Sequence, residues 1–271
     1  MTNRTDVLTH RIDGEGWPLL LLNGGMMSFP AWEPVATRLR ERFRVIRCDF
    51  RGQLLSPGPP PGSMEGHADD LARLLDHLAV PRAHVVGASF GAYAALLLAA
   101  RHPSRVASIV AATVTDHVKD GMGEGGVALR SACQAALAGG DRGAVFDLIV
   151  EVAYSPAWRE ARRAEFSARR PQAAFLPDAW FSGLLGLLAA LEGCDLRPVL
   201  SRIGCPVLIL AAGADAIMPL ARTEAVAKAI PGAELLVFPE CGHALPVERK
   251  AEFVRLTSEF LARAGAAGRA S

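Results

Sequence analysis

Short runs of Val, Ile and Leu recur along the chain at 18–22, 43–48, 84–86, 108–112, 206–211 and 234–238, each bounded by Gly, Pro, Asn or Asp. They are apolar at nearly every position rather than every second one, which suits parallel strands buried on both faces. Between them, apolar residues fall three or four apart: Leu71, Leu74, Leu75 and Leu78 in 68–78, with similar spacing over 92–100 and 253–261. That spacing predicts helices with one buried stripe. Strand and helix in alternation predict an α/β fold, a mostly parallel sheet flanked by helices and joined by right-handed crossovers.

The alternation stops over 115–195, where the pattern is helical and no strand is legible. Ala and Leu dominate there, with GMGEGG at 121–126, Pro156, Pro171 and Pro177 as breakers. The reading is a sheet domain over 1–114 and 196–271 with helices inserted at 115–195. The tail at 264–271, AGAAGRAS, reads as frayed.

Composition narrows the classes. The 271 residues, about half of them hydrophobic, suffice for one large core with a modest insertion. With 29 basic against 28 acidic residues, the net charge of +1 provides no field to hold nucleic acid or an anionic membrane. Arg162, Arg163, Arg169 and Arg170 cluster, but Glu160 and Glu165 interrupt them at helical spacing, as on a solvated helix face. The five cysteines are odd in number and scattered, without a CxxC pair or a histidine at ligand spacing, which argues against disulfides or zinc. The N-terminus lacks the basic, apolar and small-residue succession of a signal peptide, and no run reaches the roughly 18 apolar residues of a membrane helix. A cytoplasmic setting is the expectation.

Candidate chemistry begins at Gly87-Ala88-Ser89-Phe90-Gly91, directly after an expected strand and before an expected helix. A sharp strand-to-helix turn would strain the serine, and the glycines remove side chains that would clash there. A glycine-bounded turn with an N-capping serine is the plainer alternative. A nucleophilic serine needs a base. His77 falls on a helix, His84 opens a strand and His102 precedes Pro103, whereas His243 follows the last expected strand. It therefore belongs to the C-terminal edge of the sheet, where open α/β folds bind ligands. Asp215 lies just beyond the strand at 206–211, and the order Ser89, Asp215, His243 is that of one serine-hydrolase architecture only. Asp116 is the reserve acid, and Asp49 reads as stabilising its own turn. For an oxyanion hole, the backbone NH of Phe90 and that of Gly25, in Asn23-Gly24-Gly25, are the candidate donors. Asn-Gly is also an ordinary turn dipeptide.

Together these segments resemble the alpha/beta-hydrolase family of esterases, lactonases and carbon–carbon bond hydrolases that carry a helical cap. NGGMMSFPAWEPVATRL resembles the HGxxxxxxxW stretch and CDFRGQLLSPG the DxRGxGxS turn. GASFG resembles the nucleophile elbow, and AAGADAIMP and FPECGHALPVERKAEF the acid and histidine loops, 28 residues apart from Asp215 to His243. Two positions depart. Asn23 replaces the usual His, as in 3-oxoadipate-type enol-lactonases, and Gln53-Leu54 replaces the common His-Gly, a change that leaves the triad untouched.

The resemblance implies an α/β-hydrolase sheet with an inserted cap, needing no metal or organic cofactor. The implied chemistry is hydrolysis of an ester or lactone through an acyl-enzyme on Ser89, His243 and Asp215. The expected partner is a small-molecule substrate with an apolar portion, met by Phe29, Trp158, Trp180 and Phe181, with core packing as their other role. Carbon–carbon bond hydrolysis of a dienoate or β-diketone is the rival within the fold. A hydrolase-fold ligand-binding protein is the rival outside it.

Overall fold

The computed structural model describes residues 7–56, 58–118 and 123–267. Residues 1–6 of the N-terminus, 121–122 of the glycine-rich breaker and 268–271 of the tail lie outside them. Seven strands form one sheet: β1 (His10–Asp13), β2 (Trp17–Leu22), β3 (Phe43–Cys48), β4 (Ala83–Ala88), β5 (Val106–Ala112), β6 (Val207–Ala212) and β7 (Glu234–Phe238). Their order is β1-β3-β2-β4-β5-β6-β7. All neighbours pair in parallel except β1, which runs antiparallel to β3 with Ile12 opposite Ile46. All six apolar runs are strands. β1 was not foreseen, because HRID holds one apolar residue and covers an edge.

The helices are α1 (Glu33–Leu39), α2 (Met64–His77), α3 (Phe90–Arg101), α4 (Gly123–Leu137), α5 (Arg142–Ala153), α6 (Pro156–Ala161), α7 (Arg163–Arg169), α8 (Asp178–Leu191), α9 (Arg197–Leu200), α10 (Leu220–Ala229), α11 (Leu245–Glu248) and α12 (Lys250–Ala267). Side chains of α2, α3, α9 and α10 bury one face of the sheet, and those of α1, α11 and α12 bury the other. This two-sided cover is why β4 and β6 are buried at every position. α12 continues through 264–267, past the point where the tail reads as frayed.

Helices α4 to α8 lie between β5 and β6, and α4, α5 and α8 share a small core around Cys133, Val145, Phe181 and Leu184. The chain leaves and returns through a short antiparallel neck: His117 bridges Asp195, Val118 N donates to Cys194 O at 2.7 Å, and Leu196 N donates to Asp116 O at 2.8 Å. Pro156 sits in the first turn of α6, where its missing NH costs nothing, and Pro177 caps α8. GMGEGG does not break the helix where expected, since α4 begins at Gly123 and takes the later glycines into its first turns. No single helix among the described residues is long and apolar enough to cross a membrane; Arg163–Phe175 with Asp178–Leu191 reaches that length only across a 101° bend.

Candidate active site

Ser89 joins β4 to α3 at φ 51° and ψ −120°, a conformation that L-residues rarely adopt. The flanking glycines make the turn possible. A Cβ on Gly87 would lie 2.7 Å from Ala92 N, and one on Gly91 would lie 2.7 Å from Asn23 O. Both contacts are backbone atoms that cannot yield. Ser89 N donates to Ala112 O at 2.9 Å, pinning the elbow to the end of β5. Phe90, the first residue of α3, presents an NH with no preceding turn to bond, where the helix dipole favours negative charge.

His243 follows β7, and its Nδ1 lies 2.8 Å from Asp215 Oδ2. The second oxygen of Asp215 accepts the backbone NH of Ile217 and of Met218, both at 2.8 Å, so the carboxylate is held from both ends. Nδ1 must donate to this carboxylate, which leaves the lone pair of the neutral imidazole on Nε2. Nε2 is buried and has no hydrogen-bond partner among the described residues. Asp116 is placed elsewhere: its Oδ1 lies 3.0 Å from Arg222 Nε and 3.1 Å from His117 Nδ1. Burial works to raise its carboxyl pKa, and the Arg222 and His117 contacts outweigh it, holding the pKa below the usual range. The acid that meets His243 is Asp215.

Ser89, His243, Gly25 and Phe90 line one narrow cavity of about 70 Å³. The rest of its wall is aliphatic, chiefly Met26, Leu129, Leu184, Leu187, Ile217 and Met218. The four expected aromatics do not line it. Phe181 is fully buried in the core of the inserted helices, with Trp180 edge-on to it at 5.0 Å. Trp158 stacks under the Arg162 guanidinium at 3.3 Å in a separate groove, and Phe29 opens the 3-10 turn before α1. Phe181 and Trp180 hold the inserted helices together, as large apolar residues in a small core must. The wall residues left a signal in the chain, the Leu184, Leu187, Leu188, Leu191 stripe of α8. A stripe shows that a face is buried, not what it faces.

A polar network unread in the sequence holds the loop that carries Gly25. Asp49, fully buried, accepts from Asn23 Nδ2 (2.8 Å), Ser28 Oγ (2.7 Å), Phe29 N (2.6 Å) and Leu55 N (3.0 Å). It therefore stabilises more than its own turn. Asn23, in the position of the usual His, also donates to Cys48 O at 2.9 Å. Behind the elbow, the Phe90 ring stands edge-on to Phe50 at 4.9 Å and to His67 at 5.0 Å. Neither nitrogen of His67 has a hydrogen-bond partner among the described residues. Burial, with a smaller contribution from the nearby Arg51 guanidinium, pushes its pKa down to about 3. On the far side of His243, Ala244 N donates to Ala153 O at 2.7 Å, and Glu248 accepts the backbone NH and the hydroxyl of Ser155, both at 2.7 Å. The histidine loop is thereby tied to the turn between α5 and α6.

A strained serine between strand and helix, a histidine paired to a carboxylate at the same sheet edge, and glycine-rich backbone opposite them agree with one family model. The model described as the alpha/beta hydrolase family matches residues 19–256. The chain belongs to the alpha/beta hydrolase family. Within it, a 2-hydroxymuconate semialdehyde hydrolase of Pseudomonas sp. (strain CF600) is 30% identical over 270 residues, covering 94% of this chain and 90% of the relative. A pimeloyl-[acyl-carrier protein] methyl ester esterase of Chromobacterium violaceum is 31% identical over 256 residues, covering 92% and 95%. The crystal structure of the enol-lactonase from Burkholderia xenovorans LB400 superposes with a TM-score of 0.81 at 26% identity, covering 94% of this chain and 96% of that one. This alpha/beta hydrolase thus has esterases, a lactonase and a carbon–carbon hydrolase among its relatives. All three activities are compatible with a serine at the elbow.

Proposed function

We propose that the protein hydrolyses a small carboxylic ester or lactone with an apolar portion, through an acyl-enzyme on Ser89. Nε2 of His243 takes the Ser89 proton as Oγ attacks the carbonyl, then delivers it to the leaving alkoxide. Asp215 keeps the imidazole in the tautomer that leaves Nε2 free and stabilises its positive charge. The NH groups of Phe90 and Gly25 receive the oxyanion. Water deprotonated by His243 then attacks the acyl carbon and releases the acid and the free serine. Helices α4 to α8 act as a cap, supplying α4 and α8 as the apolar roof.

The observation that carries this reading is the shared cavity: the serine at φ 51° and the histidine whose other nitrogen is held by Asp215 face the same apolar space. The same wall favours an ester over the carbon–carbon reading. A muconate-type substrate brings a carboxylate, and no Lys or Arg is among the described residues lining the cavity. A fluorophosphonate probe followed by mass spectrometry tests the proposal. The adduct is expected on Ser89, with p-nitrophenyl butyrate hydrolysis abolished in Ser89→Ala. An unlabelled Ser89 in folded protein would overturn it and leave a ligand-binding role.

A further inference from the structure

Gln53 follows Gly52 in the turn after β3, 5% exposed, where the related turn commonly has a histidine. Its amide has one orientation that satisfies its neighbours. Phe50 N donates to it at 2.8 Å, so the receiving atom is Oε1 and the opposite end is Nε2. Nε2 donates to Gly24 O at 3.1 Å and Met27 O at 3.0 Å, with Gly25 O at 3.4 Å. Three carbonyls of the loop thus converge on one NH2 group.

The Gly24 carbonyl and the Gly25 NH are the two ends of one trans peptide plane and point in opposite directions. Fixing the carbonyl on Gln53 turns the NH away from Gln53, on the loop that forms the cavity wall at Gly25. The same hydrogen bond polarises the peptide and strengthens its NH as a donor. Asp49 does not act here, because its loop contacts are with Asn23, Ser28 and Phe29 at the two ends of the loop. Among the described residues, Gln53 is the side chain that grips the Gly24 carbonyl.

We infer that Gln53 is the positioning residue of the oxyanion hole, clamping the Gly24–Gly25 peptide so that the Gly25 NH meets the developing oxyanion. The inference rests on acyl transfer at Ser89 as proposed above. Gln53 touches no reacting atom and acts through the peptide it holds. Such a role is felt in the tetrahedral state and hardly in the trigonal one.

The test is the split between kcat and KM for p-nitrophenyl butyrate, together with inhibition by an alkyl trifluoromethyl ketone, which places an oxyanion in the site, and by butyramide, a neutral trigonal analogue, which does not. Gln53→Glu keeps the acceptor for Phe50 and sets an oxygen against the loop carbonyls. It is expected to lower kcat about 10- to 100-fold, to weaken the ketone by the same factor, and to leave KM and butyramide inhibition near wild type. Gln53→His, which retains one ring NH, is expected to recover most of the loss. Gln53→Met gives the same reading should Gln53→Glu not fold. Wild-type kcat in these variants, or an equal loss toward ketone and butyramide, overturns the inference. The fluorophosphonate adduct separates the two levels: labelled wild type with unimpaired Gln53 variants sinks the clamp alone, and an unlabelled wild type sinks the proposed function beneath it.

Discussion

A carboxylate without a proton can only accept, so Asp215 decides which nitrogen of His243 is free to act. Asp215→Asn would place an amide NH2 beside Nδ1, reverse the tautomer and put the proton on Nε2, where a base is required. On the proposed mechanism kcat falls about 10⁴-fold with the fold intact, measured as ester turnover alongside thermal melting. Asp116→Ala, by contrast, leaves Arg222 half-buried without its carboxylate, and is expected to cost stability while turnover persists. His67 makes a separate residue-scale case. Above pH 6.5 its imidazole is neutral in both folded and unfolded chains and has no effect. Below 6.5 the unfolded chain takes up a proton that the folded chain refuses until about pH 3, so stability falls as pH falls through that window. The slope is about 1.4 kcal/mol per pH unit, or about 2 kcal/mol by pH 5. Urea titrations of wild type and His67→Leu at pH 7 and pH 5 should show the variant losing less by about that amount; parallel losses would show that His67 is not the group responsible.

At the scale of elements, α8 is the roof of the cavity, and glycine lets it descend onto the turn after β3. A Cβ at Gly183 would overlap Gly52 O, and one at Gly186 would overlap the Pro60 ring. Gly183→Ala forces α8 away from Gly52 and Gln53, and overpacking of this kind costs about 1–3 kcal/mol. A lowered melting temperature with a raised KM is expected; unchanged KM would mean that α8 does not shape the substrate site. What the chain reveals of itself divides along the same line. Continuous apolar runs made β2 to β7 legible, the inner strands because both their faces are covered and β7, an edge, because it keeps the run LLVF, and with them the loops that hold Ser89, Asp215 and His243. β1 was hidden because its edge segment HRID holds one apolar residue. Gln53 looked like a departure with no consequence, since a side chain that serves three carbonyls of another loop leaves no local pattern. Phe181 and Trp180 misled for a related reason: the sequence shows that rings will be buried, but the choice between cavity wall and helix core is made by tertiary packing.

For the molecule as a whole, the inserted helices roof the C-terminal edge of the sheet over an apolar space, and on the proposed function the dimensions of that space would select the substrate. A cavity of about 70 Å³ is small, so on the proposed function short acyl chains are the ones expected to fit without moving α4 or α8. Longer ones must displace the Leu184–Leu191 face, whose residues also belong to the two cores that anchor it. A chain of the same length ending in a carboxylate meets aliphatic side chains, and an ion transferred to such surroundings without a partner loses several kcal/mol of hydration. A p-nitrophenyl ester series should peak in kcat/KM near butyrate to hexanoate and decline at octanoate. The half-ester of glutarate should fall at least about 100-fold below the pentanoate ester, since about 2.7 kcal/mol of lost hydration already suffices for that ratio. Leu187→Ala enlarges the wall without adding charge, so it should move the optimum to longer chains while the glutarate half-ester stays poor. Recovery of the charged ester in Leu187→Ala would show that length, and not the dryness of the cavity, had excluded it.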